Sequence, residues 1–457
     1  MNGDIRSAGS GSSHARERSD AVALLTVYLV LLLLVPSNVR IAALGSLGRP
    51  ALLWGLALLV VWSTWRLQAR KEDLVRVWQP TRLAYAALVV IAFISFAGAV
   101  FRGQPPDQIT TAITSLARLL SWGGPLLIAM DGLTTPAAVV TMVRRLGVAG
   151  GLLAAFGLLQ FMSGQSLLGW ITVIPGLEIH SSDLIIRGGF ARASGTSTHP
   201  LEHATALSAA VPPALMLALY PGRAYGRTGH LIGAGLALLI ALGSVAAVSR
   251  SAIIGFGVAV LALMPGLPSR VRGYVVITGA ILAAVGAMAF RGLFHTLLSL
   301  FNFDSDPSTQ SRTDALARVV DFAASSPIFG SGLGTFLPRY YILDNQWALM
   351  YVELGALGFL ALLALFSSAW VSAFTASRRT LDPQIRFVGH VLMASVLTIA
   401  VLFAFFDGLS FPIAAGVSFV IFGLSAALRA VVTTGLDEPT LDQPYGATPP
   451  SKRATDT

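Results

Sequence analysis

The sequence predicts an all-α, polytopic integral membrane protein with about twelve transmembrane helices and two long extracytoplasmic loops. Three observations predict it. Of 457 residues, 12% are charged and 54% hydrophobic, whereas a soluble domain carries about a quarter charged residues. Mean hydropathy is +0.72. The apolar residues also gather into stretches of about 20, the length that crosses the hydrocarbon core of a bilayer. This composition excludes a water-soluble globular enzyme and a disordered scaffold. A net charge of +9 would suit nucleic acid in a soluble chain. Here the apolar content directs that charge to a membrane surface, and no nucleic-acid partner is expected. Cysteine is absent, so there is no disulfide, thiolate nucleophile or Cys-ligated zinc.

The apolar stretches begin near Ala21, Pro50, Leu83, Thr110, Leu146, Leu201, Leu231, Ser251, Tyr274, Trp347, Phe387 and Phe411. The first follows a polar segment containing Arg16 and Arg18. Val35-Pro36-Ser37-Asn38 is a poor cleavage site for a signal peptide, so this stretch is expected to be a retained helix. Residues 1–20 read as a polar cytoplasmic tail and 21–430 as the transmembrane unit. Residues 431–457, with Pro439, Pro444, Pro449 and Pro450, read as a disordered cytoplasmic tail. If the N-terminus is cytoplasmic, basic residues favour the inner segments about two to one, and both lysines, Lys71 and Lys452, fall inside. The bias predicts that both termini are cytoplasmic. The two long outer loops span about 162–200 and 291–346. Loops of this length are functional or disordered, and their aromatic and aliphatic content argues for function.

Arginine dominates the outer side. Arg187 and Arg192 lie in Ile186-Arg187-Gly188-Gly189-Phe190-Ala191-Arg192, Arg250 in Val248-Ser249-Arg250-Ser251 at the turn between the seventh and eighth stretches, and Arg312 and Arg318 in Ser311-Arg312-Thr313-Asp314-Ala315-Leu316-Ala317-Arg318. The guanidinium fork matches phosphate oxygens bidentately and stays charged. A converging set would suit a lipid diphosphate. Each arginine taken singly also fits an ordinary surface partner of Asp183, Asp314 or a lipid headgroup.

Ser326-Pro327-Ile328-Phe329-Gly330-Ser331-Gly332-Leu333-Gly334-Thr335-Phe336 has glycines spaced for tight turns and close backbone approach. No βαβ unit surrounds it, so a dinucleotide site is not expected. Leu343-Asp344-Asn345-Gln346-Trp347 directly precedes the tenth stretch. Asp344 there can accept a proton from a sugar hydroxyl or cap the helix. Glu353 and Arg118, inside apolar stretches, would be costly facing lipid and are expected to face the protein interior.

Taken in order, the outer arginines, the Ser-Arg turn and Pro-Ile-Phe-Gly-x-Gly-x-Gly resemble the O-antigen ligase and polymerase superfamily, most clearly from about Leu231 to Phe366. In those ligases a histidine opens the pattern His-(Asn/Ser/Gln), nine residues, Gly, two residues, Gly. Asp344-Asn345 is followed here by nine residues and then Gly355 and Gly358, so aspartate replaces histidine. The resemblance implies a glycosyltransferase C-like fold and a metal-independent, inverting enzyme without a cofactor. Its donor would be a polyprenyl diphosphate-linked oligosaccharide, and its acceptor a glycan, lipid or protein hydroxyl outside the bacterial cytoplasmic membrane. Arg250 and Arg312 would hold the diphosphate, with Arg187, Arg192 and Arg318 as further candidates, and Asp344 would orient or deprotonate the acceptor. Aspartate is a weaker base than histidine, so another group can take the proton.

Other signals compete. His199-Pro200-Leu201-Glu202-His203 has the His-x-x-Glu-His form of a zinc peptidase, but Pro200 at a helix first turn leaves His199 outside the regular helix. His199, Glu202 and His203 are instead expected to line the outer mouth of the cavity. Asp304-Ser305-Asp306 has the spacing of a metal-binding pair, with Pro307 marking an acidic turn. Twelve spans also fit a transporter or flippase of lipid-linked glycans, which would place ionisable residues and broken helices near the midplane.

Overall fold

The computed structural model describes residues 8–68, 77–179, 184–187, 189–222, 226–289 and 313–435. Arg312, Asp183 and the pair Asp304 and Asp306 lie outside the described residues. Twelve helices correspond to the twelve apolar stretches: α1 (Ala8–Leu33), α2 (Pro50–Gln68), α3 (Pro80–Phe101), α4 (Pro106–Gly132), α5 (Pro136–Ser163) and α6 (Pro200–Leu219), followed by α7 (Gly226–Ala246), α8 (Arg250–Leu263), α9 (Ser269–Ala289), α10 (Gln346–Arg379), α11 (Pro383–Leu402) and α12 (Pro412–Thr434). Many open on proline, whose missing N–H costs nothing at a helix first turn. Among the described residues, eight helices are long and apolar enough to cross a membrane: α2, α3, α4, α5, α7, α10, α11 and α12. The protein is therefore an all-α polytopic membrane protein at the level of those eight. Of the others, α8 has 14 residues, and α6 carries Glu202, His203, Pro212 and Pro213.

The boundaries differ most at the starts of α1 and α5: α1 begins at Ala8, thirteen residues before the expected Ala21, and α5 begins ten residues before the expected Leu146, where Thr135 Oγ1 accepts from Ala138 N–H. Arg144 and Arg145 are thus on the helix rather than in a loop. Arg144 donates to Tyr220 O at 2.8 Å and Arg145 to Thr26 Oγ1. Two short antiparallel pairs supplement the helices. β1 (Val39–Ile41) pairs with β2 (Leu177–Ile179), in register Val39 to Ile179, and β3 (Ile186–Arg187) pairs with β4 (Phe190–Ala191). The first pair ties the α1–α2 connection to the first long loop.

α12 organises the core. It is apolar around its whole circumference, as a fully enclosed helix must be, and nearly all its residues are buried. Phe419 meets Trp122 with ring centroids 5.4 Å apart, and Phe422 meets Phe366 at 4.7 Å. Small residues set the approach, as expected where helices pack in lipid. A Cβ on Gly423 would lie 2.7 Å from Leu126 O. By contrast, Tyr274, Val276, Ile277 and Ile281 of α9 are exposed, an apolar surface suited to lipid.

The glycine-rich segment is a clip on a broken helix. Inside α10, Gly355 has φ +67° and interrupts the helical backbone. Across the break, Ser331 N–H and Gly332 N–H donate to Val352 O (3.2 Å) and Glu353 O (2.8 Å), while Ala356 N–H and Leu357 N–H donate to Pro327 O (2.8 Å) and Ile328 O (3.2 Å). A Cβ on Gly330 (φ +72°) would lie 2.2 Å from the Glu353 carbonyl carbon, and one on Gly355 would lie 2.3 Å from that of Ile328. Only glycine fits both contacts. Gly330→Ala is expected to cost ~1–3 kcal/mol through overpacking against backbone, read as a lower melting temperature in detergent. Gly279→Ala, with nothing within 4 Å of its Cβ, should stay near wild type.

Candidate functional site

One end of the bundle gathers the polar residues. There α1, α5, α7 and α11 finish and α6, α8, α10 and α12 begin. Cross-links fasten these ends: Thr196 Oγ1 donates to Leu33 O (2.7 Å), and Ala193 N–H donates to Ala246 O (3.1 Å) and Gln346 N–H to Phe403 O (2.7 Å).

The turn between α7 and α8 leads into Arg250 and receives a hydrogen bond from Arg192. Arg192 is 7% exposed, and its Nε donates to Ala247 O at 3.1 Å. Burial, and then the charge of Arg187, lower its guanidinium to about 10, so it remains cationic at neutral pH. Arg250 opens α8 two residues beyond Val248 and is largely buried. Val248 has φ +44°, a conformation costly for a β-branched residue and of the kind that collects at functional sites. Arg318 stands apart from this pair. It is exposed, next to the short helix Val319–Ala323, with its guanidinium carbon 5.6 Å from the Tyr341 ring centroid.

The carboxylates lie on the other flank. Asp344 borders a cavity of about 230 Å³ with Ala315, Leu316, Leu343, Asn345 and Ala404. Asn345, rather than Asp344, caps α10, its Oδ1 accepting from Ala348 N–H at 3.1 Å. The side chain one residue closer to the helix has the geometry to reach the third N–H. The turn between α11 and α12 adds Asp407, which was not among the candidates from sequence. Burial, reinforced by the charge of Asp344, outweighs the Ser410 hydrogen bond and pushes the Asp407 carboxyl up to about 6. A lone acid in the short turn Phe406-Asp407-Gly408 between two apolar stretches was the available signal.

His199 links the flanks. Its ring lies 5.9 Å from that of Phe411, which lies 5.5 Å from Phe406, the neighbour of Asp407. Its Nδ1 accepts from Leu201 N–H at 3.1 Å, capping α6. Burial, with the charge of Arg192, lowers its imidazole to about 4, so the ring is neutral. Glu202 and His203 do not line the mouth, as had been expected; both are fully buried beneath it. The Glu202 carboxylate accepts from Thr198 N–H (2.9 Å), Thr198 Oγ1 (2.8 Å) and Ile413 N–H (2.6 Å). Joining the α6 cap to the start of α12 in this way is a structural task. His203 packs against Gly157 and Gly195. With Nδ1 of His199 and the Glu202 oxygens so engaged, the His-x-x-Glu-His residues are not disposed as a ligand set.

Glu353 and Arg118 do face inward. Both line a cavity of about 510 Å³ with Ser115, Gly334, Gln346 and Ser410. Glu353 accepts from Phe336 N–H at 3.4 Å, holding the glycine clip, and no ion pair joins it to Arg118 among the described residues.

Residues 235–363 match the protein-family model described as O-antigen ligase. The matched stretch runs from α7 to just beyond the break in α10 and includes Arg250, Asp344 and the glycine clip. It lies within the Leu231–Phe366 region where the resemblance was clearest and supports the O-antigen ligase superfamily. With the membrane-crossing helices, it supports a multi-pass bacterial inner-membrane protein with an O-antigen ligase- or polymerase-like function. A search of curated proteins gives no match.

Proposed function

We propose that this protein transfers or polymerises a glycan from a polyprenyl diphosphate carrier onto an acceptor hydroxyl at the outer face of the cytoplasmic membrane, with both termini cytoplasmic. The observation that supports this reading is that Arg192 and Arg250, and Asp344 and Asp407, lie at the same end of the bundle, with the His199 and Phe411 rings between the two flanks. The first suits a leaving diphosphate; the second suits an attacking hydroxyl.

In the proposed step the acceptor oxygen attacks the anomeric carbon from the face opposite the diphosphate. A new C–O bond forms, the bond from that carbon to the phosphate oxygen breaks, and the configuration inverts. Negative charge grows on the departing diphosphate, where preorganised arginines favour the transition state over the ground state. Arg250, Arg192 and Arg312 serve that charge, with Arg187 and Arg318 as further donor-binding candidates. The acceptor proton passes to a carboxylate: Asp344 orients the hydroxyl, and Asp407, whose carboxyl is pushed up to about 6, is the base. No step requires a metal.

Asp344→Asn tests the assignment. It is expected to lower turnover more than donor affinity, as measured by kcat alongside binding of the lipid-linked donor. Equal loss of both would make Asp344 a structural residue.

A further inference from the structure

A third cavity opens between α1, α2, α4 and the start of α12. Its walls are apolar, with Tyr28, Leu32, Leu52 and Trp122 among them, yet it holds both Arg49 and Arg118 and no acidic side chain. The two guanidinium groups are close enough to repel each other. Arg49 Nη1 and Arg118 Nε are buried and lack a hydrogen-bond partner among the described residues. Buried donors are nearly always satisfied, and two like charges held together in a low-dielectric interior need a counter-charge. Glu202 acts electrostatically on Arg49, but it does not line the cavity, and no carboxylate acts on Arg118 among the described residues.

We propose that this cavity is an anion site, in which Arg49 and Arg118 hold the phosphate headgroup of a membrane amphiphile while the apolar walls take the start of its tail. Arginine pairs match phosphate oxygens bidentately. The apolar walls favour a tailed phosphate over free inorganic phosphate. The site is separate from the Arg192 and Arg250 flank, and its occupancy does not depend on the transfer reading.

The test uses a diazirine-tagged isoprenyl phosphate with the purified full-length protein in detergent, with labelled positions mapped by peptide mass spectrometry. Saturable label is expected on α1 and α4 around Leu32 and Trp122, falling at least tenfold in Arg118→Gln and in Arg49→Gln. Arg118→Lys, which keeps the charge, should retain more label than Arg118→Gln, and melting curves without lipid establish that each variant is folded. Competition by excess phosphatidylglycerol would identify bulk phospholipid as the source of the headgroup. Competition by unlabelled isoprenyl phosphate alone would identify a carrier lipid. Label absent from this cavity in the wild type, or unchanged in folded Arg118→Gln and Arg49→Gln, would overturn the proposal. No glycan moves in this assay, so its failure leaves the transfer reading standing, and failure of that reading leaves this site intact.

Discussion

Arg250→Ala lowers turnover by about 10²–10³-fold, the loss that follows removal of one preorganised donor from a developing anion. Three features raise the effect at this position. The side chain is largely buried, so solvent screens its charge little. It opens α8, where helix N–H groups add to the positive potential. It also follows Val248, held at φ +44°, so its direction is set by a strained turn rather than a flexible loop. The expected loss falls on kcat, since charge on the diphosphate grows mainly as the bond breaks. The measurement is steady-state transfer by the purified variant, with melting temperature checked in parallel. A change confined to KM would make Arg250 a ground-state binding residue only.

Asp407→Asn removes the acidic limb of the pH–rate profile and lowers turnover at neutral pH by about 10²–10⁴-fold, the range for a positioned general base. The sign follows from the raised pKa. Only the deprotonated carboxylate can accept the hydroxyl proton, so wild-type kcat/KM should rise with pH and level off above about 6, whereas the amide variant should lack that rise. The same shift has a stability consequence of opposite direction. A carboxyl raised from 3.8 in the unfolded chain to about 6 in the folded one binds its proton more tightly when folded. Its contribution therefore favours folding at low pH and is lost as pH rises between those values. Relief of that cost should make Asp407→Asn slightly more stable than wild type at pH 7. A variant with the wild-type limb intact would remove Asp407 as the base.

Much of this arrangement was legible along the chain. Apolar runs located the eight helices long and apolar enough to cross a membrane, because a lipid-facing or enclosed helix has little freedom in composition. The glycine spacing announced a close backbone approach, and the structure supplies its partner, the broken turn at Gly355. Where the sequence misled, the decisive interaction was between residues far apart. Asp407 gains meaning only because the α11–α12 turn folds against Asp344. Glu202 looked like a cavity residue, yet it is enclosed because the start of α12 supplies Ile413 N–H to it. Adjacent candidates are also hard to separate: Asp344 and Asn345 are both good caps, and only the backbone geometry assigns the task to Asn345. Arg49 and Arg118 are 69 positions apart, and their shared cavity depends on the close packing of α2 on α4 at Gly55 and Gly124.

The central claim is that the arginine and carboxylate flanks perform a transfer rather than a transport step. Its most direct test is release of polyprenyl diphosphate from a polyprenyl diphosphate-linked oligosaccharide by the purified protein, with and without acceptor and EDTA. Release that requires acceptor, survives EDTA and disappears in Arg250→Ala and Arg312→Ala is the predicted result. Absence of release with every acceptor tried, together with movement of the intact donor between leaflets of proteoliposomes, would contradict it and make the protein a flippase.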